Sequence, residues 1–190
     1  VVFPLALLVG CGGGPSQPAT GGAGEAGWPR GERVRLIAFV GSASKPPASE
    51  AKAAYEKAHP NVAIDMTFGG SGTLLQQMTL EEIGDIYMPG SDDFMDKAEA
   101  KQAVMPQTRA IVAYLIPMIC VRKGNPKGIR ELADLARPGL TVGMAEPGAV
   151  CLGDVSAEVL GNAGVLEAVK KNVITYAKSC EQTQQLVQLG

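Results

Sequence analysis

Apolar residues along this chain recur at two spacings, and the switch between them marks out its elements. Residues 34–39, Val-Arg-Leu-Ile-Ala-Phe, form a short run apolar enough for a buried strand. Ala51, Ala54, Tyr55 and Ala58 then fall three and four apart, one face of a helix for which Pro46 and Pro47 suit the first turn. His59-Pro60-Asn61 ends that helix, and residues 62–68 predict a second strand. The opening unit is therefore β-α-β, and the implied sheet is parallel. The second strand runs into Gly69-Gly70-Ser71-Gly72-Thr73, after which Leu74, Leu75 and Met78 mark a second helix. A short third strand follows at 85–88, and Ser91 or Asp92 can cap a helix reaching about Ala100.

Residues 111–121 are a long apolar extended run interrupted by Pro117, which fits a bend or a crossing between two parts of the fold better than one central strand. Cys120 in this run reads as a core residue. Turn chemistry follows at 123–128. A second α/β series then begins. It predicts a short helix at 131–136, a strand at 140–144, a loop at 146–151, helices at 154–160 and 165–171, a strand at 173–176 and a last helix at 181–189.

The front of the chain is different. Residues 1–9 are an apolar run of signal-peptide length, without Met or a basic flank, and too short to span a bilayer. The run ends in Leu8-Val9-Gly10-Cys11, which resembles the bacterial lipobox and makes Cys11 the candidate lipidation site. Residues 12–32 are rich in Gly, Pro, Ser and Ala and predict a flexible tether, because such a stretch buries too little apolar surface to offset its ordering entropy.

Composition narrows the function class. With 46% hydrophobic and 19% charged residues the chain is globular rather than disordered. Its net charge of −2 and scattered Lys and Arg give no footprint for nucleic acid. Enzyme signatures are weak. The turn at 69–73 lacks the second Gly of a nucleophile elbow, and no phosphate-loop Gly-Lys-Ser/Thr occurs. The single histidine, His59, stands at a helix end, where a surface role is expected rather than a catalytic one.

Four segments occur in a telling order: residues 68–75 (Phe-Gly-Gly-Ser-Gly-Thr-Leu-Leu), 84–91 (Gly-Asp-Ile-Tyr-Met-Pro-Gly-Ser), 123–128 (Lys-Gly-Asn-Pro-Lys-Gly), and Glu146-Pro147 followed by Val150. Together they resemble the periplasmic molybdate- and tungstate-binding proteins of ABC importers. The resemblance runs from about Val34 to the end. It implies an α/β fold of the two-lobed type II periplasmic-binding class, with lobe I at 33–112 and lobe II at 113–190. It also implies a return segment from lobe II to lobe I after the last helix. No such segment is present in the sequence, so lobe II reads as incomplete and the chain as a fragment clipped at both ends.

Carried over position by position, the resemblance implies an oxyanion held by the loop Ser42-Ala43-Ser44, by Ser71 with Gly72, and by Val150 with Cys151. Two positions depart from the family. The first loop reads Gly41-Ser42-Ala43-Ser44, which leaves Ala43 able to offer only its N–H and calls on Ser42 or Ser44 for a hydroxyl. Glu146 stands where Asp is usual and is a further candidate contact. The implied ligand is molybdate or tungstate, with no cofactor and no other metal. The implied partners are the permease subunits, the setting extracytoplasmic and tied to a membrane by the lipid, and the state monomeric. A different oxyanion, such as sulfate or phosphate, and a small organic solute are the alternatives; a hydrolase is the weaker one.

The residue types suit the chemistry. A tetrahedral dianion offers only acceptors, and N–H groups, Ser hydroxyls and helix N-termini are donors that meet it without formal charge. Cys151 and Cys180 each lie just before or at a predicted helix start in the second half, and in an oxidising compartment they are candidates for a disulfide. No two cysteines have zinc-ligand spacing.

Overall fold

The computed structural model describes residues 33–189, so Cys11 and the tether at 12–32 lie outside the described residues. Two parallel sheets carry the fold. The first has the order β2-β1-β3, built from β1 (Val34–Gly41), β2 (Val62–Gly69) and β3 (Ile86–Met88). Helices α1 (Lys45–Ala58), α2 (Ser71–Glu81) and α3 (Asp92–Ala100) follow the three strands in turn.

Strand β1 reads as continuously apolar because it is central and covered on both faces. Phe39 packs with Leu74, Leu75, Met78, Tyr87 and Met95 under α2 and α3. Its neighbours Ala38 and Val40 point the other way, to Ala48 and Ile64 under α1. Burying a large apolar side chain contributes roughly 1.5–3 kcal/mol, so the two layers hold the sheet from both sides. Asp85 locks the third strand in place: its carboxylate accepts from Ile37 N–H at 2.8 Å and its own N–H donates to the Ile37 carbonyl at 2.8 Å.

The second sheet pairs β4 (Val142–Ala145) with β5 (Val173–Ala177). Helices α4 (Cys151–Asn162) and α5 (Leu166–Lys170) connect the two strands, and α6 (Cys180–Leu189) follows β5. Met144, Leu160 and Val169 form the core, with a 3-10 turn at Leu132–Ala136 packed against it. The Glu146 N–H donates to the Ala177 carbonyl at 2.9 Å, extending the pairing to the ends of both strands.

Register decides where function can sit. Gly41 pairs with Gly69, and Val40 with Met88, so all three first-sheet strands end at one edge. Ala145 pairs with Ala177 at the matching edge of the second sheet. In open α/β sheets the carboxyl edge is where ligands bind, because the helix N-termini gather there.

The α/β class and all the strands expected within the two series are present. The run at 111–121 is different. It carries no strand, every residue from 110 to 124 is exposed, and Tyr114 retains 83% of its surface. Cys120 is exposed, which corrects its expected place in the core. The cause is that no strand among the described residues pairs with this run, so its apolar character is not matched by burial. A smaller correction concerns Ser91. It holds the N-cap position of α3, but its hydroxyl bonds the Asp93 carboxylate at 2.5 Å instead of a backbone N–H.

Candidate functional site

The carboxyl edges of the two sheets face each other across a narrow cleft. Its walls are Ser42, Ser71 and Gly90 from the first sheet's loops, and Val150, Cys151 and Cys180 from the second's. The walls meet so closely that no gap admits a water molecule. Three helices of ten or more residues, α2, α4 and α6, begin here, at Ser71, Cys151 and Cys180. Each N-terminus brings partial positive charge to the cleft, while none of the lining residues carries a formal positive charge.

Ser71 is the most constrained polar group in the cleft, with 1% of its surface exposed. Its hydroxyl oxygen accepts from the Gly90 N–H at 3.0 Å, and its carbonyl accepts from the buried Tyr87 hydroxyl at 3.0 Å. Burial pushes the Tyr87 pKa up, which keeps that hydroxyl a donor. Ser71 is also among the neighbours that act to lower the Cys151 thiol pKa. Ser42, also buried, accepts from the Cys180 N–H at 3.0 Å.

The two thiols are partners of each other. The Cys180 thiol hydrogen-bonds the Cys151 sulfur, and this holds the Cys151 pKa below the ordinary thiol value; Ser71 and the Leu152 N–H act in the same direction against burial. The same bond, helped by burial, raises the pKa of Cys180. Both are free cysteines. The candidate disulfide is therefore not formed here, although both residues line the cleft.

Glycine makes this approach feasible. A Cβ on Gly72 would lie 2.5 Å from the Gly148 carbonyl, a backbone atom that has no room to yield. A Cβ on Gly90 would lie 2.4 Å from the Cys151 sulfur. Across the same seam the Gly72 N–H donates to the Ala149 carbonyl at 3.0 Å. At the rim, Lys45 and Glu181 pair at 3.3 Å.

Of the residues expected to hold an anion, the fold gathers Ser42, Ala43, Ser71, Val150 and Cys151 along one cleft, with Gly72 bonded across its seam. It does not bring in Ser44 or Glu146. Ser44 precedes α1, makes no capping bond through its side chain and does not line the cleft. The Glu146 carboxylate pairs with Lys178, while its carbonyl accepts from the Val150 N–H at 3.0 Å. Gly90 and Cys180 were not among the anion candidates. Gly90 stood in the quoted segment at 84–91, and Cys180 follows a predicted strand as Ser42 and Ser71 do, so their position at strand ends was the available signal. His59 stacks on Tyr55, with ring centroids 4.2 Å apart, at the far end of α1. Among the described residues no three His, Cys, Asp or Glu side chains are grouped to hold a metal ion.

The molybdate-binding protein ModA of Mycobacterium tuberculosis and that of Mycobacterium bovis are each 29% identical to this chain over 147 residues. The match covers 77% of this chain and 54% of theirs, so the chain spans about half the length of these curated relatives. The sulfate-binding protein SubI of Mycobacterium tuberculosis shares the fold, with a TM-score of 0.66 at 18% identity over 83% of this chain and 62% of that one. Residues 36–190 match the family described as bacterial extracellular solute-binding protein, and the chain belongs to that family.

Proposed function

We propose that this chain is the extracytoplasmic binding component of an oxyanion importer, that molybdate or tungstate is its solute, and that the cleft between the two sheets is the seat. The observation that carries this reading is the convergence of the Ser42 and Ser71 hydroxyls with the N-termini of α2, α4 and α6 in a cleft lined without formal charge. Such donors suit a dianion that can only accept, and each hydrogen bond to a charged group contributes roughly 1.5–3 kcal/mol. The similarity to molybdate-binding proteins supports the choice of anion.

The cleft is shut too tightly to admit a water molecule and the Gly72 N–H is bonded to the Ala149 carbonyl, so an anion enters only when the two sheets part. The Gly72–Ala149 bond and the Lys45–Glu181 pair are the contacts that would open. The bound anion would then bridge both sides and favour closure through contacts that only the closed form makes. The closed form would be the one that docks on the permease subunits, with Cys11 carrying a lipid that keeps the protein near them.

Titration calorimetry with molybdate, tungstate, sulfate and phosphate separates the choices. Saturable uptake of molybdate and tungstate at a stoichiometry near one, with sulfate and phosphate much weaker, is the expected result. Preference for sulfate or phosphate would reassign the solute, and no uptake of any of the four would remove the oxyanion reading.

A further inference from the structure

A buried tyrosine stands behind the seat. Tyr87 has 1% of its surface exposed and packs among Phe39, Leu74, Leu75, Met78 and Met95, an apolar setting that a phenylalanine would fill equally well. Its hydroxyl donates to the Ser71 carbonyl at 3.0 Å. In an α-helix that carbonyl also accepts from the N–H four residues on, so α2 does not need the tyrosine to satisfy the group. What the bond adds is position. We infer that Tyr87 is a positioning residue of the anion seat: it holds the first residue of α2 so that the Ser71 hydroxyl is set to donate before the cleft closes. This rests on the oxyanion reading of the same cleft.

One strand end grips Ser71 at two atoms. Tyr87, in β3, holds the carbonyl; Gly90, in the turn that leaves β3, gives its N–H to the hydroxyl oxygen at 3.0 Å. A serine hydroxyl has a single proton, and with its oxygen accepting on the β3 side that proton is left for the cleft that Ser71 lines. The strand is itself fixed. Tyr87 pairs with Phe39 of β1, and Asp85 is bonded to Ile37 through both its carboxylate and its N–H. Gly41, at the end of β1, leaves room for the turn: a Cβ there would lie 3.3 Å from the Gly90 nitrogen. None of these contacts crosses the cleft, so they persist when the sheets part. Ser42 differs. Its hydroxyl oxygen accepts from the Cys180 N–H on the opposite wall at 3.0 Å, and opening breaks that bond. Of the two hydroxyls, that of Ser71 is therefore the one presented already oriented to an incoming anion, and a donor ordered in advance adds no ordering cost on binding.

The test uses the whole chain. Tyr87→Phe keeps the ring in the core and removes only the hydroxyl, and its effect is read in a double-mutant cycle with Ser71→Ala. The parent, both single variants and the double variant are titrated with molybdate by calorimetry, well below the melting temperature of each. Tyr87→Phe should weaken binding about five- to ten-fold in the parent and less than about two-fold where Ser71 is already alanine. A tyrosine that only steadies the core would lower the melting temperature and leave affinity unchanged, or weaken binding equally in both backgrounds. Either result overturns the inference, while binding by the parent leaves the oxyanion reading standing. A parent protein that takes up no molybdate removes the oxyanion reading and the inference with it.

Discussion

One wall of the cleft offers oxygen and nitrogen, and the other offers sulfur. On the β1–β3 side, Ser42, Ala43 and Ser71 present hydroxyls and an N–H; on the β4–β5 side, Cys151 and Cys180 present thiols at helix starts. Both walls use the same architecture, a parallel strand ending in a tight turn onto a helix N-terminus. The difference lies in the side chain placed at the first helical position. Ser71 is fully buried and accepts from the Gly90 N–H and the Tyr87 hydroxyl. Cys180 donates its N–H across the cleft to the Ser42 hydroxyl. The comparison teaches that two walls of like architecture can close on each other through their own groups, the Gly72 N–H on the Ala149 carbonyl and the Cys180 N–H on the Ser42 hydroxyl, satisfying buried donors that would otherwise cost about 1–3 kcal/mol each.

The two walls can be set against each other by substitution. The largest effect is expected from Gly72→Val, whose Cβ meets the Gly148 carbonyl and keeps the walls apart. Molybdate affinity should fall at least a hundred-fold, about 2.8 kcal/mol, while circular dichroism keeps the helical signal and small-angle scattering shows an expanded molecule. Compaction like that of the parent protein would show that the seam does not depend on this glycine.

Ser42→Ala comes next. It removes one hydroxyl donor from the first wall and a partner of the Cys180 N–H. About a ten-fold loss of affinity is expected by calorimetry. An unchanged affinity would shift the burden to Ser71 and the backbone. The smallest effect is expected from Lys45→Ala. Its pair with Glu181 spans the rim but is half-exposed on both sides, and such pairs contribute about 0–1 kcal/mol. The affinity should change less than about five-fold, and less still in high salt.

Much of the fold was legible because the apolar periods were clean. Residues 34–39, alternating between two buried faces, and the series after 140 predicted their strands and helices to within a few residues. Helix starts were less legible. Helix α4 begins at Cys151 rather than Asp154, because the turn before it is tied by the Val150 N–H to the Glu146 carbonyl and by the Gly148 N–H to the Asp154 carboxylate at 2.9 Å. Those bonds depend on a loop conformation that no spacing encodes. That shift matters, since it puts Cys151 at the helix mouth.

The cleft was half legible. Ser71 and Gly72 stood out as a Gly-Ser turn after a strand, and Val150 and Cys151 followed from resemblance. The role of Gly90 depends on two separate sheets coming face to face, and the shared place of Cys151 and Cys180 on the pairing of β4 with β5; both are long-range events that local pattern cannot report. Residues 111–121 show the opposite failure. Their composition asks for burial, yet burial requires a pairing partner, and among the described residues none pairs with this run.

The most direct measurement of the central claim is a molybdate titration of the protein beside its Ser71→Ala variant, with thermal melts confirming that both are folded. Ser71 lies at the convergence of the three helix starts, and its hydroxyl is the donor with the fewest alternatives. One bound molybdate in the parent protein, and affinity weakened roughly ten- to a hundred-fold in the variant, is the result the account predicts. Equal affinities in two folded proteins would place the anion somewhere other than this cleft.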